Sequence, residues 1–196
     1  MPKVLPQYRK EATLKILNAA AEAFAEKGYG KATMDDVAKK IGVSKGALYL
    51  YFKSKEQLFE EISRTELKDL EDNLYSAFTA TDVKKGAEAY FDSVMKLSAP
   101  QRTLWLQTLA EARSNRAVKE ILEEGDASAL KVLERFADDL KKRGTIDPKL
   151  DSVLVARVFM AFHDGVVVSL LEGINESTAK EMWMQGIGFL VSGMSS

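Results

Sequence analysis

The sequence predicts an all-α chain in which a compact three-helix domain precedes a larger helical body. Three observations carry that prediction. Apolar residues recur at helical spacing in almost every segment, as Leu14, Leu17, Ala21 and Phe24 do between Tyr8 and Lys27. No stretch alternates apolar and polar residues as a half-buried strand would. Residues suited to helix caps and stops punctuate the periodic segments. With 46% hydrophobic and 29% charged residues in a chain of 196, there is enough apolar material for a core and too much for disorder.

The elements follow in order. Gly28 stops the first helix. Thr33 caps a short second helix, with Asp35 and Asp36 in the first turn where the helix dipole favours anions, and Gly42 ends it. Ser44 caps a third short helix reaching about Phe52. Ser54 caps a longer fourth helix carrying Leu58, Ile62, Leu67, Leu70 and Leu74. Five further helices are expected at roughly 83–97, 101–113, 116–142, 150–172 and 177–193. We divide the chain into residues 1–55 and 56–196, with the fourth helix belonging to both parts.

Composition removes several function classes. The absence of cysteine excludes disulfides, thiolate metal sites and a cysteine nucleophile, and it suits a reducing cytoplasm. One histidine, His163, makes no transition-metal site without several carboxylates, so neither metal nor cofactor is expected. His163 and Asp164 are helix neighbours expected to point about 100° apart, which leaves no nucleophilic triad. No glycine-rich phosphate loop is present, and Glu123-Glu124 and Asp138-Asp139 read as solvated helix surface, so an enzyme is not expected. The longest apolar run, Gly165 to Leu171, is far short of a membrane span, and Met1-Pro2-Lys3 does not begin a signal peptide.

The near-neutral net charge of −1 conceals a division. Residues 1–55 hold 11 Lys/Arg against 5 Asp/Glu, whereas the remainder is acidic. A basic head on an acidic body suits contact with a polyanion through the head alone. Within the head, Thr33 to Phe52 reads as helix, tight turn and helix. Gly42 stands where positive φ is needed. Val43 is expected to pin the turn against the core, while Val37, Ile41, Leu48 and Phe52 lock the helices together. The start of the second helix, Lys45-Gly46-Ala47, is then left exposed: small residues allow close approach to base edges, and free N–H groups suit phosphate. Lys39, Lys40, Lys45, Lys53 and Lys55 surround the unit with positive charge, although Lys39 and Lys40 serve equally well as a solvated face.

Residues 8–60 resemble the DNA-binding domain of the TetR family of repressors. The resemblance rests on Ile16-Leu17, Ala20-Ala21, Phe24, Gly28-Tyr29, Thr33, Val37-Ala38, Gly42-Val43-Ser44-Lys45-Gly46, Leu48-Tyr49, Tyr51-Phe52, and Lys53-Ser54-Lys55 before Leu58. Residues 61–196 match only in length and helical character. The resemblance implies phosphate contacts from Thr33, Ser44, Tyr49, Tyr51 and Lys55, with Lys45, Gly46 and Ala47 in the major groove. Lys53 adds charge beside them. Packing is the alternative role for Tyr49 and Tyr51. Ala47 stands where the family often has threonine, and Leu50 where it often has histidine, tyrosine or tryptophan. Leu50 therefore either touches a thymine methyl or packs.

For the body, the resemblance implies a helical domain that binds a ligand and dimerises through its last two helices, which carry Val153, Leu154, Val158, Val166, Val167, Leu170, Trp183, Ile187 and Leu190. Phe91, Met95, Trp105, Leu109, Phe136, Phe159 and Phe162 either fill the core or line a cavity. His163 is either a satisfied buried histidine or a polar group in that lining. The expected partners are a palindromic double-stranded DNA operator, a small hydrophobic effector and a second copy of the chain, with no membrane. A helical scaffold or interaction module is the rival reading; in a DNA-binding assay it would show no sequence preference and no steep salt dependence.

Overall fold

The computed structural model describes the backbone of residues 6–78, 82–96, 104, 106 and 108–195, with side chains from residue 9 onward. Among these residues α1 spans Pro6–Lys27, α2 Met34–Ile41, α3 Lys45–Tyr49 and α4 Lys55–Ala77. In the body α5 spans Val83–Met95, α6 Arg116–Lys142, α7 Ser152–Leu171 and α8 Glu176–Met194. Residues 104, 106 and 108–111 are also helical, and no strand occurs among the described residues. The chain groups into two compact units, residues 1–66 with 98–125, and residues 67–97 with 126–196. Sequence order suggests a cut at 55/56; packing adds residues 98–125 to the first unit, and α4 and α6 each run through both.

Caps and stops explain where the helices of the first unit begin and end. Thr33 accepts a hydrogen bond from the Asp36 N–H at 3.2 Å, and Asp36 returns one from the Thr33 N–H at 3.0 Å, a reciprocal capping box. Gly28 and Gly42 both take φ of 78°, which residues with a Cβ rarely adopt. The core gathers Phe24, Val37, Leu48 and Leu58, all fully buried, around Tyr29. Tyr29 meets the Phe24 ring edge-on at 5.2 Å and Phe59 at 5.3 Å. Each such side chain contributes about 1.5–3 kcal/mol by leaving water. Leu104 and Val118 close the same cluster. Leu14, expected on the inner face of α1, is instead 43% exposed, because the buried stripe is carried by Ile16, Leu17, Ala20 and Phe24.

The second unit is built around Trp183 of α8. Its ring is stacked between Tyr90 of α5 and Phe162 of α7, each at 5.5 Å, and its Nε1 donates to the Ala87 carbonyl at 2.7 Å. Phe162 fits because residue 186 is glycine: a Cβ there would stand 2.1 Å from the ring. The short apolar run in α7 understates that helix. Taken whole, Ser152–Leu171 is long and apolar enough by composition to cross a membrane, and little of it is buried within the unit. Leu154 and Val158 on α7, with Met182 and Phe189 on α8, leave large apolar side chains uncovered.

Candidate DNA interface and effector-binding body

The α2–turn–α3 segment presents its polar edge outward and its apolar edge inward. After Gly42, the Val43 N–H bonds back to the Ala38 carbonyl at 3.0 Å and closes the helix end. Ser44 then caps α3 by accepting from the Ala47 N–H at 3.2 Å. Leu48 is fully buried, which orients the short helix, while Ser44, Lys45 and Gly46 stay exposed. A Cβ on Gly46 would meet nothing closer than the Ser44 hydroxyl at 4.0 Å. Nothing inside the protein requires a glycine there, so the space it leaves faces an outside partner. Val43 does not pin the turn to the core: it is 41% exposed, because Leu48 and Val37 already fill the interior. Leu50 is 74% exposed, so in this chain it does not pack.

The nominated polar residues fall into two groups. Lys45 is exposed, its nearest carboxylate being Asp35 at 3.4 Å. Lys53 is exposed as well and its ammonium donates to the Tyr49 carbonyl at 2.8 Å. Lys55 is turned inward, donating to the Tyr29 carbonyl at 2.6 Å and lying 4.3 Å from the centre of the Tyr29 ring. The Thr33 hydroxyl donates to Asp36 at 2.7 Å, and Asp36 also pairs with Lys27. Hydrogen bonds from Lys27 and Thr33 hold the Asp36 carboxyl down at about 2. Burial pushes the Tyr29 hydroxyl well up, with Glu56 and Glu111 adding to it. Tyr49 and Tyr51 are half-buried against the core. Ala47 is half-buried, and Lys40 is engaged by Glu22 and Glu26 of α1 at 3.1 and 2.8 Å.

In the second unit the nominated apolar residues do not converge on one space. Phe136 and Phe159 border an apolar cavity of about 50 Å³, with Ile187 and Leu190 among its other walls. Phe91, Met95 and His163 border a smaller space of about 10 Å³ beside Tyr90 and Trp183. Phe162 borders neither and packs on Gly186. Leu109 belongs to the first unit and is 44% exposed, and Trp105 lies outside the described residues. His163 is half-buried, and its Nδ1 lies 3.1 Å from Asp164 Oδ1. The two side chains thus meet, although neighbouring Cα–Cβ bonds diverge by about 100° on a helix: rotation about the side-chain bonds brings the tips together. Sequence reasoning missed Tyr90, whose ring lies 6.0 Å from His163, because nothing in its spacing relates it to a residue 73 positions later.

An exposed short helix held by a tight glycine turn, within a stretch (residues 1–55) rich in Lys and Arg, has the form of a helix-turn-helix DNA-binding regulator. Residues 16–62 match the family model of bacterial regulatory proteins of the tetR family. The HTH-type transcriptional regulator YhgD of Bacillus subtilis is 30% identical over 151 residues, covering 74% of this chain and 79% of YhgD. The structure of Salmonella enterica GusR superposes with a TM-score of 0.77 at 23% identity, over 98% of both chains. The fatty acid degradation regulator FadR of Bacillus halodurans superposes with a TM-score of 0.74 at 26% identity, over 91% of this chain and 97% of that one. The chain belongs to the TetR family of transcriptional regulators and is not an enzyme.

Proposed function

We propose that this chain is a repressor that binds a pseudo-palindromic operator as a homodimer and is released by a small, largely hydrophobic effector. The observation that carries the DNA reading is the exposed Ser44-Lys45-Gly46 start of α3, where a glycine has no internal reason to be. In this reading two copies set their α3 helices in successive major grooves about 34–36 Å apart. Residues 1–55 form the DNA-binding domain and residues 56–196 carry effector binding and dimerisation. Ser44, Lys53, Tyr49 and Tyr51 meet phosphates, Lys45, Gly46 and Ala47 face bases, and Leu50 lies against thymine methyls. Thr33 and Lys55 act mainly by holding the loop before α2.

Dimerisation is supported by the uncovered side chains of Leu154, Val158, Met182 and Phe189 on the last two helices. An apolar effector is supported by the apolar cavity bordered by Phe136 and Phe159, and by the fatty-acid regulator among the solved relatives. Such an effector weakens operator binding by as much as it prefers the state that does not fit DNA. The test is fluorescence anisotropy on a duplex selected from a random pool. Affinity should fall steeply between low and high salt, and Lys45→Ala should change sequence preference. A shallow salt slope with no preference among duplexes would refute the reading.

A further inference from the structure

A further apolar space lies in the first unit, between α1 and the α2–turn–α3 segment. It is a half-open cleft of about 170 Å³, against about 50 Å³ for the cavity bordered by Phe136 and Phe159. Ile16 and Leu48, both buried in the core, form its floor, and Val43, 41% exposed, stands at its edge. The space has a cause in the sequence. Ala12 of α1 and Ala47 of α3 both border it, and a longer side chain at either position would run into it.

Two polar side chains border the same cleft. Lys15 is exposed and forms no ion pair among the described residues. Tyr51 is half-buried, and its hydroxyl has no hydrogen-bond partner among them. By contrast, Lys27, Lys40 and Lys45 of the same unit are each paired with a carboxylate. Residues 1–55 carry 11 Lys/Arg against 5 Asp/Glu, so an anion is drawn to this stretch and a cation repelled.

Volume and charge together define the occupant. A cavity of about 150 Å³ with aliphatic and aromatic walls stays dry and takes up benzene. The cleft therefore has room for one aromatic ring, and its walls reward the burial of a ring face. The stem of Lys15 lies along the apolar wall while its charged head stays in water at the mouth. A carboxylate on the ring gives that head a partner, and the Tyr51 hydroxyl offers a second donor at the border.

We propose that this cleft binds a small aromatic carboxylate, with the ring between α1 and α3 and the carboxylate held by Lys15 and the Tyr51 hydroxyl. It is a site of the first unit, distinct from an effector cavity in the body. Ala47 and Tyr51 also belong to the surface assigned to DNA, so the ligand sets a negative charge where the duplex approaches and weakens all duplexes alike. That consequence rests on the proposed DNA reading; binding in the cleft does not.

Benzoate, benzyl alcohol, benzylamine and acetate separate ring from charge, and benzoate is ionised at neutral pH as aspartate and glutamate are. In calorimetric titration of the full chain, benzoate should bind about fivefold tighter than benzyl alcohol, as a surface ion pair allows. Benzylamine and acetate should give no binding heat. Lys15→Met keeps the stem and removes the charge, so benzoate should fall to the level of benzyl alcohol, itself unchanged. Ala12→Leu fills the cleft and should abolish both, with Tm at or above that of the wild type. Absence of benzoate binding, equal affinity for benzoate and benzyl alcohol, or binding untouched by Ala12→Leu would overturn the proposal. On the selected duplex, benzoate should lower affinity in the wild type and have no effect in Ala12→Leu. If salt slope and sequence preference hold while benzoate does not bind, the cleft site falls alone. If both are missing while benzoate binds as described, the DNA reading falls and the site stands.

Discussion

Replacing Gly186 with alanine should destabilise the body, although alanine is the better helix former. On the built backbone the new Cβ lies 2.1 Å from Phe162 Cζ, so the ring must retreat by about 1.3 Å to reach ordinary contact at 3.4 Å. It has nowhere to go, because its face is stacked at 5.5 Å on Trp183, which is itself anchored by the Ala87 carbonyl. Overpacking of this kind costs about 1–3 kcal/mol, and a displacement of this size in a stacked ring belongs at the upper end. Helix propensity returns about 1 kcal/mol, leaving a net loss of about 2 kcal/mol. At about 2–4 °C per kcal/mol for a chain of this size, Tm should fall by about 4–8 °C. Gly125→Ala is the control, since nothing lies within 4 Å of its added Cβ; that variant should melt at or above the wild type. Calorimetry on both variants, and on Gly186→Ala combined with Phe162→Leu, reads the result. The smaller side chain should recover most of the loss. If Gly186→Ala melts like the wild type, or if Phe162→Leu only adds its own penalty, the wedge is wrong.

Phe189 is 74% exposed on α8, so Phe189→Lys should leave the fold intact and shift sedimentation of the full chain toward a monomer at micromolar concentration; an unchanged dimer would remove the last helix from the interface. Lys55→Met keeps the stem of the side chain but loses the bonds to Tyr29 and Gly30. It should lower Tm by about 2–4 °C, for a loss of about 1 kcal/mol, and weaken all duplexes alike; unchanged melting would return Lys55 to a purely phosphate-facing role. Because folding lowers the Asp36 carboxyl to about 2, its contribution is present above about pH 4 and is lost as pH falls toward 2. Acid titration by circular dichroism should therefore show Asp36→Asn with a flatter decline of stability over that window than the wild type.

The DNA-binding head was legible because its signals are local. Thr33, Gly42 and Ser44 act on atoms within a few residues, and the structure gives each the cap or turn its residue type suggests. Asp36 was read as a charge at a helix start, and it adds to this a bond to Lys27, nine residues back. Lys55 shows where local reading ends: its acceptors are carbonyls 25 and 26 residues earlier, so its inward turn has no trace in the surrounding sequence. The body was harder for the same reason. Phe91, Phe136, Phe159 and Phe162 are one residue type in three places: Phe136 and Phe159 share a cavity wall, Phe91 borders the smaller space and Phe162 packs on Gly186. Gly186 gave no sign that it makes room for an aromatic ring on another helix. Leu109 sits with the first unit because packing regroups residues that chain order separates.

That regrouping bears on how such a regulator can be taken apart and recombined. Leu104 and Val118, which come from beyond α5, are 1% and 0% exposed within the core that also holds Phe24, Val37 and Leu48. A fragment ending after α3 would lose these two side chains as well as Phe52, Leu58, Phe59 and Ile62 from that core. A chimera joining this head to a foreign sensor at residue 55 would present the incoming chain with apolar sockets shaped for Leu104 and Val118 as well as for Leu58, Phe59 and Ile62. Exchange of heads between relatives should therefore succeed only when residues 98–125 travel with the first 66. In sequence that is a cut at three places, although the exchanged piece is a single compact body.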